Sequence, residues 1–192
     1  MSSGTLALSG WMEEVRSRLA RRERAEPLDE VGQRRAAVLV PLFVREGHLW
    51  ILFTRRTDTL EHHRGQISFP GGAEEEDDES LLKTALRESE EEIGLKRTDA
   101  IPLGTLSPMV TVTSFYVEPF VAAIPQPYVF QPQEAEIAEI IEAPIAALMD
   151  PAVLERKPMP GRPGLILFYH YGDHVIWGAT ARMLSELLDA LK

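Results

Sequence analysis

Residues 87–95 read Arg-Glu-Ser-Glu-Glu-Glu-Ile-Gly-Leu and place four carboxylates, Glu88, Glu90, Glu91 and Glu92, within five positions. Side chains three and four apart are neighbours on a helix, so Glu88, Glu91 and Glu92 share one face, roughly opposite Leu82 and Ile93. Like charges so placed cost a few tenths of a kcal/mol, or roughly that, per pair unless cations intervene. A hard divalent ion with oxygen ligands is the usual remedy, and Arg87, four residues before Glu91, offsets part of the repulsion. Just upstream, Gly71 and Gly72 let the backbone turn sharply, so that a carbonyl can face the same ion and a diphosphate can approach without a Cβ in the way. Carboxylates, open backbone and a dication together point to phosphoryl chemistry.

The elements that must carry these groups are legible around them. Between Glu74 and Glu92 ten acids face only Lys83 and Arg87, which gives this stretch a charge of −8 out of −10 for the chain. Interleaved Leu81, Leu82, Ala85, Leu86 and Ile93 fall at helical spacing, so the block is read as an amphipathic helix from about Ser80 to Ile93, ended by Gly94, and not as a solvated tail. Before it, residues 36–44 and 49–56 are predicted to form a hairpin about 45–48. Pro41 suggests an edge strand or a bulge, and Pro119 weakens regular pairing in the strand expected over 115–124. Residues 101–106 are a further strand, 136–150 a strand or loop leading into a short helix, 165–170 and 174–178 a second hairpin, and 180–192 a closing helix with Met183, Leu184, Leu187, Leu188 and Leu191 inward. A first helix capped by Ser9 would align Trp11, Val15 and Leu19 and serve for packing or dimerisation, leaving a homodimer open.

At 192 residues and 44% hydrophobic, the chain can bury a sizeable core as one domain. No run of eighteen apolar residues occurs, and the first residues meet charge too early for a secretory signal, so no membrane partner is expected. Cysteine is absent, which excludes a thiol nucleophile and suits a cytoplasmic protein. The negative charge speaks against nucleic acid as a partner.

Residues 71–95 resemble the Nudix box, G-x5-E-x7-R-E-U-x-E-E-x-G-U with U aliphatic. Arg87, Glu88, Glu91, Glu92, Gly94 and Leu95 match, Ser89 replaces an aliphatic residue, and the first half is stretched so that Asp78 or Glu79 takes the first acidic role. Residues 52–72 resemble the coenzyme A pyrophosphatase branch through His63, Gly65, Gln66, Ile67, Ser68, Phe69, Pro70, Gly71 and Gly72, with Glu61 standing where a basic residue is common. Residues 177–188 resemble the W-G-x-T-A ending of that family.

This resemblance implies an α+β fold, an α/β/α sandwich with a mixed sheet between helices, over residues 34–192, with an N-terminal helix and linker over 1–33 packed on it. It implies hydrolysis of coenzyme A or acyl-CoA to 3′,5′-ADP and (acyl-)4′-phosphopantetheine, with Mg2+ or Mn2+ held by Glu88, Glu91, Glu92 and the Gly71 carbonyl. Glu88 and Arg87 would belong to the catalytic set, Arg87 by holding the glutamates. Glu136 is the preferred general base, with Glu134 behind it. Arg55, Arg56, His63, Arg64, Gln66 and Ser68 are the candidate substrate contacts, Gln66 and Ser68 also suiting a structural role, and Trp177 is read as core. Two alternatives stay open: another nucleoside diphosphate derivative such as ADP-ribose, NADH or a nucleotide sugar, or a silent nucleotide-binding module.

Overall fold

The structure, a computed structural model, describes residues 3–25, 32–58, 65–158 and 164–192. In chain order the elements are α1 (Ser3–Ala20), β1 (Arg34–Arg45), β2 (His48–Arg56), β3 (Ile67–Ser68), β4 (Gly71–Ala73) and α2 (Leu81–Ile93). Then follow β5 (Ile101–Thr105), β6 (Met109–Val110), β7 (Phe115–Ala123), β8 (Ile137–Pro144), α3 (Ile145–Leu148), β9 (Leu154–Pro158), β10 (Leu165–Tyr171), β11 (His174–Trp177) and α4 (Gly178–Ala190). The helix α1 starts at Ser3, before Ser9, so Ser9 lies inside it and does not cap it. A third strand, β9, joins the expected hairpin β10–β11 into a small sheet.

The larger sheet is mixed. β1 runs parallel to β7 and antiparallel to β2 and β4, while β8 and β3 pair with β2, and β5 and β6 pair with β7. Strand periodicity then sorts side chains between two layers. Ala37, Leu39 and Phe43 of β1 and Leu52 of β2 pack with Leu81, Ala85, Leu86 and Ile93 of α2. The alternate residues Ala36, Val40, Leu42, Ile51 and Phe53 face Val15 and Leu19 of α1 and Ala181, Met183, Leu184, Leu187 and Leu188 of α4. Each fully buried aliphatic contributes about 1.5–3 kcal/mol. The result is the expected α/β/α sandwich.

Pro41 lies inside the sheet, where an edge strand or a bulge was expected, and Pro119 lies inside it too. Pro41 pairs in register with Ala122, yet β4 covers only Ala36–Val38 and β2 only Leu42–Arg45. The Leu39 N–H points into that gap, to the Pro70 carbonyl at 2.8 Å, and by the two-residue period the Pro41 nitrogen faces it too. No ladder bond is lost there. Pro119 likewise falls between the stretches of β7 paired with β6 and β5.

Trp177 is the other correction. Alternation along β11 sends Ile176 into the core and leaves Trp177 39% exposed, stacked on Phe168 with centroids 6.3 Å apart.

Candidate active site

The site forms where the segment 69–73 meets α2. Phe69 is 2% exposed and stacks on Phe53 at 4.9 Å, the Pro70 carbonyl accepts from Leu39, and Gly71 and Gly72 pair with Val38 and Ala37. Gly71 has φ +154°, and a Cβ there would collide with the Ala37 carbonyl and stand 2.6 Å from the Val38 Cα. At Gly72 a Cβ would fall 2.5 Å from the Glu88 carboxylate, so that glutamate uses space only glycine leaves. Gly72→Ala is therefore expected to evict the Glu88 carboxylate and lower kcat about a hundredfold, with only a small change in melting temperature, as steady-state kinetics and thermal denaturation would register.

Ser80 caps the start of α2 by accepting from the Lys83 N–H, and Gly94, at φ 70°, ends it. The three glutamates of its acidic face have different surroundings. Glu92 is 4% exposed and accepts from the Gly71 N–H at 3.2 Å; burial pushes its carboxyl up to about 8. Glu88 is half-buried, and burial raises its carboxyl although Arg87 partly opposes the shift. Glu91 is exposed and meets Arg87 at 3.2 Å. Ser89, where the box has an aliphatic residue, is fully buried and turns its hydroxyl back to the Ala85 carbonyl at 2.7 Å, so its polarity is satisfied inside the helix.

Arg87 is the buried hub. Its Nε and Nη2 donate to the two oxygens of Asp78 at 3.2 and 3.0 Å, Nη2 also to the Ala73 carbonyl at 3.0 Å, and Nη1 to Glu88 at 3.0 Å and Glu91 at 3.2 Å. All five guanidinium protons are used. Asp78 in turn accepts from the Thr84 hydroxyl at 2.9 Å and the Glu75 N–H at 3.0 Å, and the Arg87 guanidinium holds its carboxyl down at about 2. Glu79 is exposed. Between the two acids left open by the stretched box, the geometry thus gives the Arg87 contact to Asp78. Thr84 escaped notice in the sequence, though its place three residues before Arg87 on the same helical face was a usable signal.

Opposite α2, Arg56 sends Nη1 to Glu92 at 3.6 Å and Nη2 to Glu136 at 3.5 Å. Glu136 is held by its own carbonyl, which accepts from the Thr57 N–H at 2.8 Å, and the Thr57 hydroxyl donates to Ala135 at 3.1 Å. Its loop is also tied to α2, because the Gln131 N–H donates to the Ile93 carbonyl and the Gln133 N–H to that of Glu92, both at 2.9 Å. Glu134 is exposed. Arg55 points to the other face of β2 and pairs with Glu139 at 2.9 Å, which also meets His174 at 3.4 Å. Gln66 accepts from the Arg56 N–H through its carbonyl, and Ser68 meets the Thr54 hydroxyl, so both brace β2. His63, Arg64 and Glu61 lie outside the described residues.

The site thus joins Glu88, Glu91, Glu92, Arg87, Gly71, Arg56 and Glu136, while Arg55 stands apart. Among the described residues no three carboxylates or imidazoles already converge on one point; Arg56 contacts Glu92 and Glu136, and Arg87 contacts Glu88 and Glu91. The donor set nonetheless suits a hard dication: Glu88 and Glu92 offer carboxylate oxygens partly out of water, beside a glycine backbone that leaves room.

Residues 33–163 match the NUDIX domain family. The chain is 38% identical over 162 residues to the "Uncharacterized Nudix hydrolase NudL" of Cronobacter sakazakii, which covers 82% of each chain. Among solved structures, a MutT/nudix family protein from Enterococcus faecalis aligns with TM-score 0.54 over 98% of this chain and 68% of that one at 14% identity. A Nudix hydrolase from M. smegmatis aligns with TM-score 0.51 over 62% and 74% at 19% identity. Those two likenesses concern the fold; the family match over most of the chain and the identity to the curated relative carry the assignment, and the chain belongs to the Nudix hydrolase family.

Proposed function

We propose that this Nudix hydrolase cleaves the diphosphate of coenzyme A or acyl-CoA, with Mg2+ or Mn2+, giving 3′,5′-ADP and (acyl-)4′-phosphopantetheine. The observation that carries this reading is the junction of two stretches. The segment Gly65–Gly72, which resembles the coenzyme A pyrophosphatase branch, meets the carboxylate helix directly through the hydrogen bond from Gly71 to Glu92. The unit that does the work is taken as 34–192, with 1–33 as an N-terminal helix and linker. The cysteine-free sequence supports a cytoplasmic setting.

In this reading Glu88, Glu92 and the Gly71 carbonyl hold the cation, with Glu91 as an additional ligand. The bound ion supplies positive charge to the phosphoryl oxygens as negative charge develops on them. Arg87 does not touch substrate; two of its five bonds fix Glu88 and Glu91 in place, and the other three anchor it to Asp78 and Ala73. Glu136 accepts the proton of the attacking water, whose oxygen bonds to phosphorus as the bridging P–O bond breaks. Arg56 contacts the diphosphate, and Gln66 and Ser68 hold β2 beneath it. Arg55, on the other face, together with His63 and Arg64, is assigned to the more distant phosphate of the substrate.

The test is direct. Purified protein incubated with coenzyme A, ADP-ribose or NADH, each with Mg2+ or Mn2+, is expected to release 3′,5′-ADP from coenzyme A, as chromatography would detect. Cleavage of ADP-ribose or NADH with coenzyme A untouched would reassign the substrate, and no turnover of any would leave a nucleotide-binding module.

A further inference from the structure

Arg56 and Arg87 both touch the carboxylates, in opposite manners. Every N–H of Arg87 has a partner, at 3.0 to 3.2 Å. The contacts of Arg56 to Glu92 and Glu136, at 3.6 and 3.5 Å, exceed hydrogen-bond length and are Coulombic only. Its Nε–H is buried and has no partner among the described residues. A buried donor without an acceptor needs a reason, and a ligand that supplies the acceptor is one. The strand beneath is irregular as well: the register of β2 against β8 shifts between Arg55 and Arg56, a bulge of the kind that re-aims a side chain.

We propose that Arg56 is a resident counter-ion: its guanidinium holds Glu92 and Glu136 facing one another until a dication binds, and cation uptake then releases it to the diphosphate of the substrate. This rests on the reading of Glu88 and Glu92 as cation ligands. The Nε–H of Arg56, unpartnered among the described residues, and its Nη–H donors, once withdrawn from Glu92 and Glu136, would form the fork that grips a phosphate in two bonds. Arg87 cannot exchange in this manner, since leaving would strand Asp78 in a buried position. Arg56 is therefore a positioning residue in the free protein and a binding residue in the loaded one.

Calorimetric titration of Mn2+ into wild type, Arg56→Gln and Arg97→Gln tests this. Exposed Arg97 pairs with half-buried Glu90 and controls for loss of one surface charge. In Arg56→Gln, Mn2+ is expected to bind about tenfold more tightly, since a competing cation is gone. Methylenediphosphonate, titrated into the Mn2+-saturated protein, is expected to bind about tenfold more weakly. Arg97→Gln should move neither. A residue with a merely structural role would weaken both, so unchanged or weaker Mn2+ binding in Arg56→Gln overturns the proposal while the ligand reading stands. Failure of wild type to take up Mn2+ overturns both. Should Arg56→Gln not fold, the Arg56 Nε–H resonance of wild type decides: it is expected to shift with Mg2+ in step with saturation, and an unmoved resonance overturns the proposal.

Discussion

Glu92→Gln is expected to lower kcat about a thousandfold, on the order of 4 kcal/mol in the barrier, while the protein still folds. Gln has nearly the same volume, so the packing around this 4% exposed side chain survives. Its Oε1 can still accept from the Gly71 N–H. What disappears is the negative charge that Glu92 takes on when a cation answers it, a charge too costly to bury alone. The melting temperature without metal should accordingly match wild type or exceed it, whereas the rise in melting temperature expected for wild type with Mg2+ should vanish. Turnover of Glu92→Gln near the wild-type rate would remove Glu92 from the set of ligands.

Arg87→Ala should have the largest effect on stability, about 3–5 kcal/mol in urea denaturation, because it leaves buried charge without a partner. Asp78 suffers most, its side chain being 7% exposed against 10% for Arg87. Asp78→Asn should be milder, and the double mutant should cost less than the two single changes together. Acid dependence gives a second readout. The Asp78 carboxyl lies at about 2 in the folded protein against an ordinary 3.8, so its ionised form favours folding. That contribution is full above the ordinary value and fades as pH falls through the folded one. Between pH 4 and 2, Asp78→Asn should flatten the stability curve, and an acid limb as steep as wild type would refute the assignment.

Most of the architecture could be read from periodicity. The 3.6-residue spacing of Leu81, Ala85 and Ile93, and the alternation around Leu39 and Leu52, correspond to the two faces of real layers. Pro41 misled because a rule about ladders treats a strand as paired along its whole length, whereas it sits where one neighbour ends and the next begins; Pro119 sits at such a break too, in keeping with the irregular pairing expected there. Trp177 misled because size is a weaker guide to burial than position along a strand. In the site, spacing put Glu88, Glu91 and Glu92 on one side of the helix but could not rank them. Depth did that, and depth depends on what Gly71, Gly72 and Arg56 bring from elsewhere in the chain. For the same reason Asp78 and Glu79 were equivalent as letters and separated only once Arg87 and Thr84 had chosen one.

The two backbone bonds from Gln131 and Gln133 onto the last carbonyls of α2 make the segment before Glu136 an outrigger of that helix. Amide protons at those two positions, although outside any regular element, should exchange with solvent as slowly as those of the helical turn they clasp. Side chains along 131–135 can then vary widely without altering the spacing between Glu136 and α2, since that alignment is transmitted through peptide N–H groups that every residue except proline supplies. A proline at 131 or 133 would remove one of these two bonds and let Glu136 drift from α2.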